Sequence, residues 1–335
     1  MQNLIDTVKS SFPDKRIVII GDLVADQFLH GTIARVSREA PVFILKHVET
    51  ETCAGGAANA AVNVASLGGE PVLIGVLGDD TEGEILREKL GLAAVNCDFV
   101  ITTKELRTTT KVRVLAGQHY APKQQVIRID YENQAELSAD LIEDLLSNLA
   151  AAAETADALI ISDYNYGTAG REVFELARSI SQQKQIPLLI DSRFRLSDFP
   201  GATTATPNQE EVEQILGKDF TEETCSELGS RLGFESLLVT CGNKGMMLVE
   251  RDKQAVRIDA VGSTEPVDVT GAGDTVIAVY ALGLASGLSF GEAAAIANHA
   301  GGIVVMKKGT ASASTAELID SMKLYAAVSA AESAA

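Results

Sequence analysis

The segment Asp268-Val269-Thr270-Gly271-Ala272-Gly273-Asp274 leads directly into an apolar run from Thr275 to Ala285. The run predicts a helix, and a helix N-terminus presents unpaired N–H groups and a positive dipole end, which attract anions. The glycines let the backbone approach such an anion closely. Asp274 is then placed to take a proton from a hydroxyl group that attacks a phosphorus atom. An ordinary helix cap explains the same residues, so this segment alone leaves both interpretations open.

The composition sets limits on the class of protein. The chain has 335 residues, 46% of them hydrophobic, and a formal net charge of −18. That length is ample for a packed core, and the acidity argues against a nucleic-acid or anionic-membrane surface. The four cysteines and four histidines lack metal-ligand spacing. No secretion signal is recognisable near the start and no apolar stretch is long enough for a membrane span, so we expect a cytoplasmic protein.

Short apolar runs alternate with helical patterns along most of the chain. The runs Arg16–Asp22, Pro71–Gly78, Ala158–Asp163, Pro187–Asp191 and Ser236–Thr240 predict buried strands. Helices are predicted over Gly56–Leu67, Glu82–Leu90, Ala139–Ala153, Arg171–Gln182, Gln209–Leu216 and Thr224–Leu232. Continuous apolar strands separated by helices are typical of an α/β fold with a mostly parallel sheet covered on both faces. Ligands of such sheets bind beyond the carboxyl ends of the strands.

Two regions break this pattern, from about 28 to 52 and from about 99 to 130. Thr108 to Val114 alternates in polarity, with Val112 and Val114 on one face and Lys111 and Arg113 on the other. We expect these segments to form a small β-sheet lid on one large domain, residues 1–320, followed by a tail, 321–335, of which Ala326 to Ala335 should fray. The charges on the lid are also compatible with an ordinary solvated face.

Three further motifs have both a structural and a chemical interpretation. The small-residue run from Gly55 to Asn59 suits close approach to a ligand or tight helix packing. Asn208 and Glu211 suit a capping box or a site for magnesium-bound water. The residues that follow Thr240 predict a tight turn, and that prediction is the same whether or not a nucleotide binds beside it. No P-loop and no complete dinucleotide fingerprint is present, which disfavours a Rossmann dehydrogenase.

Taken together, these motifs resemble the ribokinase-like (PfkB) sugar kinase family over roughly residues 14 to 320. The resemblance rests on the order and spacing of Gly55-Gly56-Ala57-Ala58-Asn59, Asn208-x-x-Glu211, Thr240-x-Gly242-x-x-Gly245 and Asp268-x-Thr270-Gly-Ala-Gly-Asp274. It implies a mostly parallel sheet between helices with a small β-sheet lid, ATP and Mg²⁺ as cofactors, and a homodimer joined through the lid.

Within that family the chain is most similar to the heptose-7-phosphate kinases, which make a lipopolysaccharide precursor. The similar segments are Gly31-x-x-x-Arg35 through Val42, Thr110 through Leu115, Gln124 through Asp130 and Ser162-Asp163-Tyr164. The subgroup usually carries a lysine where this chain has Tyr166, Asp-Pro-Lys where it has Asp191-Ser192-Arg193, and Ser-Pro-Glu where it has Ser37-Arg38-Glu39. Arg193 and Arg195 are candidates to compensate for the missing lysine.

The resemblance also implies a role for individual residues. Asp274 is the expected general base, with N–H groups around Gly271, Ala272 and Gly273 stabilising the transferred phosphoryl group. The expected nucleotide-site residues are Asn208, Thr240, Gly242, Gly245 and Asn298. The expected sugar-phosphate residues are Asp26, Arg35, Gly55, Gly56, Asn59, Lys111, Arg113, Arg128, Asp163 and Arg193. Asn208 and Glu211 are expected to hold Mg²⁺ through water, and Asp268 and Thr270 match a monovalent-cation loop, a candidate K⁺ site.

Two alternatives accompany this interpretation. One is a kinase for another sugar or nucleoside, such as fructose, ribose or a fructose phosphate. The other is a non-catalytic sugar or nucleotide sensor on the same fold, which the retention of Asp274 and its glycines disfavours.

Overall fold

The computed structural model describes residues 1–117, 123–133, 136–263 and 265–333. The helices are α1 (Gln2–Ser10), α2 (Ala57–Ser66), α3 (Thr81–Leu92), α4 (Ala139–Ala152), α5 (Arg171–Lys184), α6 (Gln209–Leu216), α7 (Glu222–Leu232), α8 (Ala272–Ala285), α9 (Phe290–Val304) and α10 (Thr315–Ser333). The strands are β1 (Arg16–Gly21), β2 (Leu23–Val36), β3 (Phe43–Gly56), β4 (Glu70–Gly78), β5 (Asn96–Thr103), β6 (Thr109–Gly117), β7 (Gln124–Tyr131), β8 (Ala158–Asp163), β9 (Leu188–Ser192), β10 (Thr204–Ala205), β11 (Ser236–Thr240), β12 (Met246–Glu250) and β13 (Val256–Ile258).

Nine strands form the large sheet, in the order β13-β12-β11-β10-β9-β8-β1-β4-β5. In this sheet the seven neighbouring strands β11, β10, β9, β8, β1, β4 and β5 pair in parallel, and β12 and β13 add an antiparallel edge. The chain winds outward from β1 in one direction through β4 and β5, and in the other through β8, β9, β10 and β11. Strands β1 and β8 therefore flank the point where the winding reverses, and ligands bind beyond the carboxyl ends of the strands at such a point.

Both faces of the large sheet are buried under helices. Alternate residues of β1 enter different cores: Ile17 and Ile19 pack in one hydrophobic cluster, and Val18 and Ile20 in the other. This alternation follows from the two-residue period of a strand and explains why the central strands are apolar throughout. The predicted α/β architecture is confirmed, and each predicted helix corresponds to a helix of the structure.

The lid is a four-stranded sheet in the order β3-β2-β6-β7. It differs from the expected segments in extent. Strands β2 and β3 reach beyond 28–52 at both ends of their hairpin, and β5, which overlaps 99–130, pairs with β4 in the large sheet instead. Residues 118–122 of the expected lid lie outside the described part.

The C-terminal segment also differs from expectation. Helix α10 runs from Thr315 to Ser333, so the expected boundary at 320 falls inside a helix, and the backbone that was expected to fray is helical to Ser333. Ser321 in this helix contacts the ring Nδ1 of buried His299 at 2.9 Å. Residues 334 and 335 of the expected tail are outside the described part. Within that part, no helix is both long and apolar enough to cross a membrane.

Candidate active site

Asp274 lies in the first turn of α8, whose N-cap residue is Gly271. Gly271 has φ +77°, and a Cβ there would lie 2.5 Å from Asn59 Nδ2. Only glycine satisfies both conditions, because other residues are strained at this φ and would collide with the amide. The glycine therefore lets α2, which carries Asn59, pack directly against the start of α8.

Two side chains donate hydrogen bonds to the Asp274 carboxylate. Asn59 Nδ2 lies 2.8 Å from Oδ2, and the Tyr164 hydroxyl lies 2.9 Å from Oδ1. Asp274 itself is only 3% exposed. Burial, followed by the charge of Asp191, raises its pKa from 3.8 to about 7, although both hydrogen bonds act in the opposite direction. A carboxylate with a pKa near neutrality is suited to accept a proton from a hydroxyl group.

The backbone beside Asp274 provides part of the expected anion hole. Within the described residues, the N–H groups of Gly271 and Gly273 have no hydrogen-bond acceptor, so they are available to an anion. The N–H of Ala272 is not available in the same way, because it donates to Val269 O at 3.2 Å. The structure thus leaves two of the three expected N–H groups available.

Asn208 and Glu211 form the capping box that was weighed as the structural alternative. Asn208 Oδ1 accepts from Glu211 N, and Glu211 Oε2 accepts from Asn208 N, both at 2.9 Å. Burial raises the pKa of Glu211, and burial followed by the charge of Glu211 raises the pKa of Asp191 at the end of β9. Asp191 also acts electrostatically on Asp274. Asp191 therefore repels both Glu211 and Asp274, while the charge of Arg193 lowers the pKa of Asp191 and of Glu211. A further cation beside Asp191 would relieve the remaining repulsion.

No group of three or more His, Cys, Asp or Glu side chains in the described residues has the geometry to ligate a metal directly. Asp191 was not among the expected metal residues, although its position at the carboxyl end of a parallel strand is a signal that the sequence contained.

The other expected nucleotide residues gather at the carboxyl end of β11. Thr240 ends that strand, pairs with Asn208 through an isolated parallel bridge, and donates its N–H to Pro207 O at 2.9 Å. The turn through Gly242 closes where Cys241 N–H donates to Gly245 O at 2.8 Å. Asn298 differs: its side-chain amide donates to Asp259 O at 2.8 Å, so it fastens α9 to the segment after β13.

Asp26, whose charge contributes to the raised pKa of Asp274, lies in β2 of the lid. Its Oδ1 forms an ion pair with Arg113 at 2.5 Å, and its Oδ2 contacts the hydroxyl of Thr310 at 3.4 Å. A Cβ on Gly55 would be 2.6 Å from Oδ2, so the glycine makes room for this carboxylate. Gly56 comes next, where β3 meets α2. The positive charge of Arg113 is therefore already balanced within the protein.

The remaining cations divide into two groups. Lys111 Nζ and Arg193 Cζ lie 5.5 and 5.9 Å from the centre of the Tyr164 ring, and neither forms an ion pair with the described residues. Arg128 is instead paired with Asp130 at 2.9 Å. Arg35 is exposed near the end of β2 that joins β3 through the hairpin, opposite the end that follows β1. The structure therefore brings Lys111 and Arg193 to Tyr164, and does not bring Arg35 there.

Two buried carboxylates hold the loop that presents Tyr164. Asp22, at the end of β1, accepts the backbone N–H groups of Tyr164, Tyr166 and Thr168 at 2.8 to 3.1 Å. Asp163 contacts Arg195 and the Ser192 hydroxyl, at 2.5 and 2.7 Å. Asp163 was expected to bind substrate, and in this structure its oxygens contact protein groups. Arg195 is likewise engaged and leaves Arg193 as the available arginine.

Asp268 joins the loop that precedes α8 to the loop at Gly309. Its Oδ1 accepts from the N–H and hydroxyl of Thr270 at 3.0 and 2.7 Å, and its Oδ2 accepts from Gly309 N at 3.0 Å. These bonds shape the loop that was expected to bind a monovalent cation.

Three residues of the site were missed by sequence reasoning about function. Tyr164 was noted only as part of a motif, and Asn63 and Thr275 were not singled out. Asn63 follows Asn59 by one helical turn, a spacing that predicts contact between their side chains.

The comparisons with known proteins identify the family. The model of the pfkB family carbohydrate kinases matches residues 14–317. The bifunctional protein HldE of Pasteurella multocida (strain Pm70) is 39% identical over 317 residues, covering 92% of this chain and 64% of that protein. HldE of Coxiella burnetii (strain RSA 493 / Nine Mile phase I) is 38% identical over 314 residues, with the same coverage. This chain thus spans a little less than two thirds of these curated relatives.

Solved structures match the fold. Phosphofructokinase-2 from Escherichia coli, in complex with substrates and products, superposes with a TM-score of 0.74 at 20% identity, covering 94% of this chain and 99% of that one. Ribokinase from Arabidopsis thaliana, complexed with ribose and ATP, gives 0.69 at 20% identity, covering 92% and 98%. At this identity the likeness concerns the fold, which is ribokinase-like as expected. Because the family model spans nearly the whole chain and the relatives reach 39% identity, the chain belongs to the pfkB family of carbohydrate kinases, which are ATP-dependent phosphotransferases.

Proposed function

We propose that this kinase phosphorylates a hydroxyl group of heptose 7-phosphate. The observation that carries the proposal is the pair of cations beside the base. Lys111 and Arg193 lie against the ring of Tyr164, whose hydroxyl donates to Asp274. In the described part of the chain neither cation forms an ion pair, although Arg193 lies close enough to Asp191 and Glu211 to lower the pKa of both. Such positive charge, in a chain with net charge −18, suits an acceptor that already carries a phosphate. The sequence segments shared with heptose-7-phosphate kinases include Lys111.

In this proposal Asp274 removes the proton from the acceptor hydroxyl as its oxygen attacks the terminal phosphorus of ATP. The bond to ADP breaks, and the N–H groups of Gly271 and Gly273 stabilise the charge on the transferred phosphoryl group. Asp26, fixed by Arg113, accepts hydrogen bonds from sugar hydroxyls beside Gly55 and Gly56. The nucleotide lies along Thr240, Gly242 and Gly245.

Mg²⁺ fits the acidic side of the site. Glu211 and Asn208, with Asp191 nearby, would hold the ion through water, and the ion would neutralise phosphate charge. The repulsion of Asp191 with Glu211 and with Asp274 supports this assignment. K⁺ at the Asp268 and Thr270 loop is part of the same proposal; a structure of Escherichia coli phosphofructokinase-2 in complex with potassium exists.

We also propose a homodimer joined through the lid, with an interface formed by other residues than the expected Val112 and Val114. Val112 and Val114 are 9% and 8% exposed in the single chain, so they are buried without a partner. Ile129 and Ile127, their direct neighbours on β7, are 42% and 54% exposed. An isolated apolar sheet face of this kind favours pairing with a second copy. The cytoplasmic location remains a prediction.

A second acceptor class is supported by Tyr166. This residue occupies the position of a lysine in the heptose-phosphate kinases, and its hydroxyl donates to Glu132 at 2.5 Å. One cation fewer favours a different sugar phosphate, such as a fructose phosphate.

An ATP-consumption screen tests both candidates. The purified protein is given heptose 7-phosphate, fructose phosphate, free fructose and ribose, with Asp274→Asn as the inactive control. We expect turnover with heptose 7-phosphate at the highest kcat/KM. A higher kcat/KM with fructose phosphate supports the second acceptor, and turnover only with unphosphorylated sugars contradicts the role of Lys111 and Arg193. ATP binding without turnover of any acceptor would favour a sensor.

A further inference from the structure

A chain of buried hydrogen bonds leads from Thr275 to the carboxylate of Asp274. The Thr275 hydroxyl donates to Asn63 Oδ1 at 2.9 Å, and Asn63 Nδ2 contacts Asn59 Oδ1 at 3.2 Å. Asn59 Nδ2 then donates to Asp274 Oδ2 at 2.8 Å. Asn63 and Thr275 have no solvent exposure. They contact no expected ligand position, so burial of two polar side chains there needs a reason.

The direction of these hydrogen bonds follows from neighbouring backbone oxygens, which can accept a hydrogen bond but not donate one. Asn63 Nδ2 also lies 3.0 Å from the backbone oxygen of Asn59, so the amide, and not the oxygen, of Asn63 must face Asn59. Asn63 Oδ1 therefore faces Thr275. The Thr275 hydroxyl has one proton and two neighbours that can only accept, Asn63 Oδ1 at 2.9 Å and Gly271 O at 3.2 Å. The shorter distance, and the hydrogen bond that Gly271 O already accepts from Thr275 N, favour donation to Asn63.

The same reasoning fixes Asn59. Its Nδ2 faces two acceptors, the Asp274 carboxylate and Gly271 O at 3.3 Å, while its Oδ1 receives the N–H of Asn63. A reversed Asn59 amide would place oxygen against oxygen at Asp274 and N–H against N–H at Asn63. We propose that Asn63 and Thr275 are positioning residues that lock the Asn59 amide with its N–H toward the catalytic carboxylate.

The inference deepens the proposed function, since it rests on Asp274 being the base. Its consequence is a base whose orientation and proton affinity are set before substrate arrives. An N–H directed at a carboxylate favours the charged form and lowers the pKa. Freeing the Asn59 amide should therefore raise the pKa of Asp274 and leave less of the base in its active form at neutral pH.

The test compares Thr275→Val, which removes the hydroxyl at equal shape, with Thr275→Ser, which keeps it. Asn63→Leu is the second disrupting variant. Carboxyl-carbon NMR of aspartate-labelled free protein reports the titration of Asp274 directly, and the signal absent from Asp274→Asn assigns it. We expect the pKa of Asp274 to rise by about one unit in Thr275→Val and Asn63→Leu. It should stay unchanged in Thr275→Ser.

The groups that face Asp274 from other elements are Tyr164 after β8, Asp191 in β9 and Asp26 in β2. They are the same in all these variants, so a shift confined to the disrupting pair is due to the hydrogen-bond chain. Kinetics provide the second readout. The acid limb of kcat/KM should move to higher pH in the disrupting variants while the KM for ATP stays constant.

Folded Thr275→Val with an unchanged Asp274 titration would overturn the inference and leave Thr275 a packing residue. A protein in which Asp274→Asn keeps its turnover would instead refute Asp274 as the base, whatever the titration shows. The NMR readout needs no acceptor, so a wrong choice of sugar does not prevent the test. If Asn63→Leu does not fold, the comparison of Thr275→Val with Thr275→Ser still decides it.

Discussion

Replacing Asp274 with Asn should abolish turnover and, at high pH, stabilise the protein. The structure predicts both effects from one feature, because the carboxylate is buried and its pKa is raised from 3.8 to about 7. For an acid with a raised pKa the folded state binds the proton more tightly than the unfolded state does. The carboxyl therefore favours folding at low pH, and this stabilisation is lost as the pH rises from 3.8 toward 7.

The magnitude follows from linkage. Each pH unit over which the folded carboxyl is protonated and the unfolded one is not changes the free energy of unfolding by about 1.4 kcal/mol. Between pH 5 and pH 8 the wild type should lose about 3 kcal/mol relative to Asp274→Asn. The amide of the variant can turn its oxygen toward Asn59 Nδ2 and donate its N–H to the Tyr164 hydroxyl oxygen, so both neighbours keep a partner.

The assay is thermal denaturation of both proteins at pH 5 and pH 8, with turnover measured at pH 8. The difference in Tm between variant and wild type should change by about 4 °C in the variant's favour from pH 5 to pH 8. We expect kcat to fall by about 10²–10⁴-fold. Asp320→Asn, on the exposed face of α10, is the matched control and should show no such pH-dependent difference. A stability difference that is the same at both pH values would refute the argument that burial raises the pKa of this carboxyl group.

Three further predictions concern substrate, metal and assembly. The double variant Lys111→Ala with Arg193→Ala should raise the KM for a sugar phosphate at least about tenfold more than the KM for ATP, because each charged hydrogen bond to a phosphate contributes about 1.5–3 kcal/mol; equal changes in both KM values would argue against a phosphate site there. Glu211→Gln should raise the Mg²⁺ concentration needed for half-maximal activity, whereas a purely capping role predicts a stability loss of about 1 kcal/mol with an unchanged metal titration. Ile129→Lys should convert a dimer to a monomer in light scattering while kcat per chain is retained, and a wild-type mass near 35.3 kDa would contradict the dimer itself.

The sequence determined the fold class because a two-residue or helical period, repeated along the chain, is a local property. Apolar runs such as Ile17 to Ile20 predicted buried parallel strands, and the structure divides those residues between two cores. The glycine-rich segment before α8 likewise identified Asp274, since the spacing of Gly271, Gly273 and Asp274 is contained within seven residues.

Only the tertiary structure decided which charges are available and what holds the base. Asp163 and Arg113 had the right chemistry for a substrate site, but their partners, Arg195 and Asp26, are 32 and 87 residues away in sequence. The contact of Asn59 with Asp274 spans 215 residues. Ion pairing and burial depend on such distant neighbours, so no local pattern separates the free Lys111 from the paired Arg113, or gives Asp274 a pKa near neutrality.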